Sequence, residues 1–162
     1  MLVVGIDPGT ATTGYGLVAE TENGIAVVDY GVILTQAGER PELRLMQLSE
    51  KLNEILLLHR PQGAAVEKLF FQRNVSSAIS VGQARGVVLL ALAQHSVAVG
   101  EYTPMEVKQA VTGYGGADKM QVQLMVKALL SLPEIPHPDD AADALAIAIC
   151  HLHSMRLNSL KT

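Results

Sequence analysis

The sequence predicts an α/β fold in which a mixed five-stranded sheet carries helices on both faces. Three strand-like runs come first, at residues 2–6, 14–20 and 25–35, and the turns between them permit antiparallel pairing. Two further runs, 64–67 and 97–102, each follow a helical pattern. This alternation after an antiparallel meander implies a mixed sheet with helices on both faces.

Apolar periodicity and end signals mark the first two helices. Pro41 opens the first helix, and Pro61 follows its end. A long second helix is expected over residues 76–95. The apolar face of the first helix consists of Leu45, Leu48, Leu52, Ile55 and Leu56.

The three C-terminal helices are marked at their first residues. Thr103-Pro104-Met105-Glu106 has the form of a capping box with proline at the first helical position. Asp118 is expected to cap the next helix, and Asp140 lies at the start of a last helix rich in Ala, Leu and Ile. The predicted order of elements is therefore βββαβαβααα.

Length and composition predict one domain, residues 1–162, that buries roughly two-thirds of its unfolded surface. Hydrophobic residues make up 49% of the chain and charged residues only 17%, so few side chains are left to cover apolar surface. We expect a two-fold homodimer to bury the excess, through the helix at 76–95. Gly82 and Gly86 would let another element approach this helix closely. The alternative is that its apolar residues pack on the chain's own sheet. Those residues are Val87, Val88, Leu89, Leu90 and Leu92.

Compartment is predicted from cysteine use and from apolar stretches. The only cysteine, Cys150, lies in a helical run and is interpreted as a small core hydrophobe. We expect no apolar stretch to approach the roughly 20 residues that span a membrane, and Asp7 interrupts the N-terminal run too early for a signal sequence. We therefore expect a protein of the reducing cytoplasm that makes no membrane contact.

Four carboxylates occupy positions that such a sheet would bring together. Asp7 ends the first apolar run, Glu67 ends the run at 64–66, and Asp140 and Asp143 share one face of the last helix. Oxygen ligands suit hard divalent cations, and two ions about 4 Å apart can clamp both reacting oxygens of a phosphodiester. We interpret all four as catalytic ligands of two Mg²⁺ ions per subunit, with Mn²⁺ as an alternative.

Each carboxylate also has a purely structural interpretation. Asp7 precedes Pro8 and Gly9 and could be a turn residue that bonds the backbone. Asp140 and Asp143 would complement the dipole of a helix at its N-terminus. Glu67 is harder to explain in this way, because a charge that ends a buried strand is costly unless it is paired or metal-bound.

The net charge of −4 lacks the basic footprint of a nucleic-acid binder. Two Mg²⁺ ions would bring the loaded protein to about zero charge, so the position of the basic residues matters more than the total. Six of them fall between Pro61 and Pro133 and could form a basic face; the alternative is that they are ordinary solvated side chains. They are Lys68, Arg73, Arg85, Lys108, Lys119 and Lys127.

An ordered set of segments resembles the Holliday-junction resolvase RuvC family. The resemblance implies a ribonuclease-H-like fold and a Mg-dependent crossover junction endodeoxyribonuclease that resolves four-way DNA by paired symmetric nicks. The set covers nearly the whole chain. Its segments are Ile6-Asp7-Pro8-Gly9-Thr10, Val66-Glu67, Gly82-Gln83-Ala84-Arg85-Gly86, Val107-Lys108-Gln109 and Asp140-Ala141-Ala142-Asp143-Ala144-Leu145-Ala146.

The resemblance assigns roles to individual acids. It implies that Asp7, Glu67, Asp140 and Asp143 are the metal-binding catalytic residues. Some family members carry histidine where this chain has Asp140, so that position acts through metal ligation or proton transfer rather than strictly as a carboxylate. His137 is either a proton-transfer group or, as we expect, a solvated loop histidine.

DNA contacts are expected for four further residues, three of them because of the resemblance. Lys108 and Lys119 match lysines associated with the active site and the DNA backbone of the family, and Phe70 matches an aromatic residue placed against the junction. Arg73 joins them as a member of the basic segment. The neighbouring Phe71 is expected to enter the core instead.

Partners follow from the same resemblance, which implies a homodimer on four-way DNA, served by the RuvA and RuvB branch-migration proteins. Three alternatives remain. Asp7-x-Gly-Thr also resembles the phosphate-binding turn of actin-like ATPases and sugar kinases, which need two domains where this chain has residues for one. The others are a related nuclease that processes ribosomal RNA precursors and a non-cleaving junction-binding module, against which the four acids argue.

Overall fold

The computed structural model describes residues 1–69 and 75–160, and their elements follow the predicted order βββαβαβααα. Most strand and helix ends differ from the expected ones by one or two residues. The elements are β1 (Leu2–Asp7), β2 (Thr12–Thr21), β3 (Gly24–Leu34), α1 (Pro41–His59), β4 (Gly63–Glu67), α2 (Val75–Gln94), β5 (Ala98–Tyr102), α3 (Pro104–Thr112), α4 (Lys119–Leu129) and α5 (Asp139–Ser159).

The five strands form one mixed sheet in the order β3-β2-β1-β4-β5. β2 pairs antiparallel with both β1 and β3, whereas β4 pairs parallel with β1 and β5 pairs parallel with β4. The strands β1, β3, β4 and β5 therefore all end at the same edge, here called the carboxyl edge. Asp7 and Glu67, the last residues of β1 and β4, lie at this edge.

Helices cover both faces of the sheet, as predicted. One core lies between the sheet and α1 and α2, where Leu48, Leu52 and Leu56 of α1 are buried on its expected face. The other core lies between the opposite face and α3, α4 and α5. Cys150 of α5 is buried there, in agreement with its interpretation as a core residue.

The first turns of α5 lie directly on the sheet because two glycines make room for them. A Cβ atom at Gly5 in β1 would overlap the carbonyl oxygen of Ala144, and one at Gly14 in β2 would overlap that of Asp140. Backbone can approach backbone this closely only where no side chain intervenes. The start of α5 is thereby held at the carboxyl edge, together with Asp143.

Two capping boxes fix the helices that carry the expected lysines. At the start of α3, the Thr103 hydroxyl accepts a hydrogen bond from the Glu106 backbone N–H at 3.1 Å, and the Glu106 carboxylate accepts one from the Thr103 N–H at 2.7 Å. Asp118 and Gln121 form the equivalent pair at α4. Both predicted caps are confirmed, and each satisfies backbone donors that a helix leaves unpaired.

The helix α2 divides its apolar residues between the core and the surface. Val88 and Leu92 are fully buried against the sheet, so the expectation that they supply an intermolecular surface is wrong. Ile79 and Leu90 of the same helix are 57% and 59% exposed. The periodicity of α2 could not separate the two groups, because apolar residues occur all round this helix.

One helix in the described part of the chain, α2, is long and apolar enough to cross a membrane by length and composition alone. The expectation that no stretch approaches that length is therefore wrong. Such a helix is weak support for a membrane span, since core helices of soluble proteins have the same composition. In α2, moreover, Arg85 forms an ion pair of 2.6 Å with Glu101 of β5.

Candidate active site

Three of the four predicted carboxylates line one cavity at the carboxyl edge. Asp7 of β1, Glu67 of β4 and Asp143 of α5 share a cavity of about 270 Å³ with Lys108 of α3 and Lys119 of α4. The two strands bring Asp7 and Glu67 together because β1 and β4 pair in parallel up to Ile6 and Val66. Five side chains from five elements therefore meet at one place.

The walls of the cavity are partly apolar, which strengthens the electrostatic interactions inside it. Little water can surround the carboxylates on these sides, so desolvation disfavours their charged forms. The apolar lining consists of Pro104, Val107, Val122, Ala146 and Ile147.

Asp7 carries the largest electrostatic perturbation in the cavity. Burial, and after it the negative charges of Asp143, Glu67 and Asp140, together raise the pKa of its carboxyl from 3.8 to about 7. The ammonium group of Lys119 opposes it only in part. Asp7 is therefore surrounded by an excess of negative charge, and pKa values perturbed in this way are common at functional sites.

The two other acids in the cavity respond in the same way. Burial and the charge of Asp143 raise the pKa of Glu67, although Lys108 lowers it. Burial also raises the pKa of Asp143, although the Lys119 ammonium lies 3.4 Å from its Oδ2 atom and lowers it. Two lysines thus leave the negative charge of the cavity incompletely compensated.

The donor set suits a hard divalent cation, because it consists of carboxylate oxygens in an excess of negative charge. Within residues 1–69 and 75–160, no group of three His, Cys, Asp or Glu side chains is arranged so that it could hold a metal ion. Repulsion between the like charges favours carboxylates that are apart, and a cation between them would remove this repulsion.

Asp140 lies at the margin of the site. This residue is half-buried in the first turn of α5 and does not belong to the lining of the cavity. Its charge nevertheless contributes to the raised pKa values of Asp7 and Asp143. The structure therefore places Asp140 within electrostatic reach of the other acids without bringing it into the cavity. His137 is exposed in the preceding loop.

Asp139 is a site residue that the sequence reasoning missed. Its Oδ2 atom lies 3.2 Å from Lys119 Nζ, and its Oδ1 atom accepts a 3.1 Å hydrogen bond from Gln123 Nε2. The hydrogen bond from Lys119 is the main reason why the pKa of Asp139 is lowered. Asp139 and Asp143 together hold Lys119 over the cavity. The sequence signal that could have identified Asp139 is its position directly before Asp140, which makes it a third aspartate next to the two predicted ones.

The predicted DNA-binding residues have different outcomes. Phe70 and Arg73, as well as Phe71, lie outside the described residues. Lys108 and Lys119 line the cavity, and their contact with DNA stays a prediction. Arg85 does not join a basic face, because its largely buried guanidinium is paired with Glu101.

Comparisons with known proteins agree with this geometry. Residues 3–151 match the family model described as crossover junction endodeoxyribonuclease RuvC. The chain is 53% identical to the protein of that name from Syntrophomonas wolfei over 98% of its own length and 92% of the relative's. It is 57% identical to the one from Desulfitobacterium hafniense, over 97% and 95% of the two chains.

A solved structure is similar over the whole fold. The Thermus thermophilus RuvC structure in complex with a Holliday junction substrate superposes with a TM-score of 0.92 at 40% identity. The match covers 98% of this chain and 96% of the other. The mixed sheet and its helices are therefore ribonuclease-H-like, as the sequence predicted.

Proposed function

The chain belongs to the RuvC family of crossover junction endodeoxyribonucleases, and from this membership we propose that it resolves four-way DNA junctions by paired symmetric nicks. The observation that carries the proposal is the cavity in which Asp7, Glu67 and Asp143 meet Lys108 and Lys119. A module that only binds junctions would have no use for buried carboxylates whose charges repel one another. The names of the relatives do not favour an RNA-processing nuclease.

Asp7, Glu67 and Asp143, with Asp140 at the margin, would hold two Mg²⁺ ions, or Mn²⁺ in their place. When bound, such ions would make a water molecule nucleophilic at neutral pH and would neutralise the charge on the departing 3′-oxygen. The carboxylates must be ionised to act as ligands. Since the pKa of Asp7 is about 7, a cation held by this carboxylate near neutral pH would take the place of a proton.

The lysines bind and orient the phosphate. Lys119 is held by Asp139 and Asp143 at 3.2 and 3.4 Å, so its ammonium is positioned before DNA arrives. Lys108 reaches the same cavity from α3. Both can donate to the non-bridging oxygens of the scissile phosphate, on which negative charge develops during the reaction.

A homodimer is proposed through a stripe of α2 that is defined here as Gly82, Gly86 and Leu90. These positions share one face of the helix; Gly86 and Leu90 are exposed and Gly82 is half-buried. A Cβ atom added at Gly86 would meet nothing within 4 Å among the described residues, so a partner helix has space to approach there. A two-fold dimer on a nearly two-fold junction places one cavity at each of two like strands.

Further partners and contacts belong to the same proposal. RuvA and RuvB would deliver the junction, and the reaction would take place in the cytoplasm. Phe70 and Arg73 would touch the DNA next to Glu67, since they follow it closely in the chain. An aromatic residue there could stack on an unpaired base, which is worth about 1 to 3 kcal/mol.

The test is a nicking assay with Mg²⁺ on a four-way junction and on linear duplex DNA with the same arm sequences. We expect paired nicks in the junction and little cleavage of the duplex. Equal cleavage of both substrates would remove the structural specificity, and binding without any cleavage would favour the junction-binding module. A ribosomal RNA precursor, added as a third substrate, tests the RNA-processing alternative.

A further inference from the structure

A second cleft opens on the α1 and α2 side of the loop that follows Asp7. It has a volume of about 230 Å³, and its lining includes Thr10, Glu39, Arg44, Ser80 and Gln83. The lining residues found for this cleft and for the catalytic cavity do not overlap. The cleft is therefore a separate feature of the molecule.

Arg44 is held in the cleft by a short chain of hydrogen bonds. Its Nε atom donates to Thr35 Oγ1 at 2.9 Å, and Thr35 Oγ1 donates to the carbonyl oxygen of Thr10 at 2.7 Å. One edge of the guanidinium is thus fixed to the loop after β1. An arginine oriented in this way loses little conformational entropy when its other nitrogens bind an anion.

Among the described residues, no carboxylate lies within 4.0 Å of the Arg44 guanidinium. In contrast, Arg40, Arg85 and Arg156 each form an ion pair with a glutamate. Arg44 is half-buried, and Glu39 is the acidic residue in the lining of the cleft. Because Glu39 forms no ion pair with Arg44, the positive charge of Arg44 is incompletely compensated where it faces the cleft.

Both helices that flank the cleft begin near it. α1 and α2 each start after a strand that ends at the carboxyl edge and then run back along the sheet. The N-terminal ends of helices carry partial positive charge. Together with Arg44 and the amide of Gln83, they make the cleft suitable for an anion with several acceptor oxygens, such as a phosphate.

The cleft lies close to the reacting centre. Thr10 follows Asp7 by three residues, so their Cα atoms are at most about 11 Å apart. Both sites open near the carboxyl edge, on opposite sides of this loop. We propose that the Arg44 cleft binds a backbone phosphate of the junction outside the cleavage site; the inference rests on the proposed DNA substrate.

The first test compares Arg44→Gln with Arg60→Gln, which makes the same charge change at an exposed residue at the far end of α1. Binding of a fluorescent four-way junction is measured without divalent ions over a range of salt concentrations. We expect Arg44→Gln to weaken binding about tenfold and to make the salt dependence shallower by about one ion. Equal effects of the two variants, or no effect of either, would overturn the proposal.

A second pair of variants guards against loss of folding in Arg44→Gln. Glu39→Gln removes the acidic residue of the cleft and is expected to tighten junction binding several-fold, whereas Glu54→Gln, at an exposed position of α1, should leave it unchanged. If Arg44→Gln weakens binding but Glu39→Gln does not strengthen it, Arg44 only anchors the loop, and the phosphate site is refuted.

Failure of the cleft and failure of the proposed function give different results. Wild-type protein that binds and cleaves junctions, together with an Arg44→Gln variant that binds as tightly, refutes the cleft alone. Wild-type protein that neither prefers nor cleaves junctions refutes the proposed function. In that case, loss of linear duplex binding in Arg44→Gln would still support a phosphate site, and unchanged duplex binding would refute it.

Discussion

The side-chain oxygens of Thr10 and Ser80 lie 2.6 Å apart and join the loop after Asp7 to α2. Thr10 Oγ1 also donates to the carbonyl oxygen of Ser80 at 3.0 Å, so the Ser80 hydroxyl is left to donate to Thr10. This double contact connects the strand end that carries the proposed catalytic acid Asp7 with the helix proposed to form the dimer. We accordingly predict that Thr10 and Ser80 position Asp7.

Thr10→Val should lower the rate of junction cleavage by a fewfold with little change in KM, because it removes the hydroxyl while retaining the shape of the side chain. It should also cost about 1 kcal/mol of folding stability. Thr10→Ser keeps the hydroxyl and serves as the control. Steady-state kinetics and thermal unfolding of both variants provide the measurement. A Thr10→Val enzyme as fast as Thr10→Ser would contradict the positioning role.

Asp7→Asn and Glu67→Gln should each abolish cleavage while sparing junction binding. Removal of one ligand charge is expected to slow the reaction on the order of a thousandfold or more, because transition-state stabilisation falls by several kcal/mol. Glu54→Gln, on the exposed face of α1, is the matched control. Near-normal nicking by Asp7→Asn in Mg²⁺ would refute the assignment of this acid.

Folding stability without metal should decrease as the pH rises towards neutrality. The pKa of Asp7 is raised from 3.8 to about 7, so the folded chain binds this proton more tightly than the unfolded chain. The corresponding stability is fully present below about pH 4 and is lost as the pH rises through about 7. The raised pKa values of Glu67 and Asp143 act in the same direction.

Thermal unfolding in EDTA between pH 5 and pH 8 measures this effect. Asp7→Asn should flatten the profile and at pH 8 stabilise the metal-free protein by roughly 1 to 4 kcal/mol. Mg²⁺ should raise the Tm of the wild type more at pH 8 than at pH 5, because it takes the place of the proton. Parallel pH profiles of wild type and Asp7→Asn would show that Asp7 is not the perturbed group.

Gly86→Ala should weaken the dimer while leaving the folded subunit intact. The added methyl group meets nothing within 4 Å among the described residues of its own chain, and alanine favours a helix over glycine by up to about 1 kcal/mol. Sedimentation at micromolar concentration would compare it with the wild type. Leu90→Glu should dissociate the dimer, whereas Leu58→Glu, at an exposed position of α1, should not. A wild-type monomer that still makes paired cuts would contradict the proposed interface.

Asp139→Asn should slow cleavage about tenfold, because Lys119 loses one of the two carboxylates that hold it over the cavity. Junction affinity should change little. Its control is Asp118→Asn, which keeps a side-chain acceptor at the helix cap directly before Lys119 in the chain. Cleavage rates with saturating junction decide the matter, and an Asp139→Asn enzyme of wild-type rate would show that Asp143 alone is sufficient to position the lysine.

The order of the elements was predictable because its signals are local. The turns of the meander, the proline at the start of α1 and the capping boxes of α3 and α4 each depend on residues a few positions apart. Asp7 and Glu67 were identifiable for the same reason, since each is a charged residue at the end of an apolar run. Parallel pairing of β1 and β4 then brought them to one edge, as the alternation of elements implied.

What only the tertiary structure decided depends on contacts between residues distant in the chain. An all-round apolar helix such as α2 does not reveal that Val88 is core and Leu90 is surface, because the sheet against which it packs selects the buried side. Spacing placed Asp140 and Asp143 on one helix face, but only Asp143 lines the cavity, whereas Asp140 lies where α5 approaches Gly14 closely. The pairing of Asp139 with Lys119 and the orientation of Arg44 by Thr35 likewise arise where separate elements meet, and no local pattern encodes such a meeting.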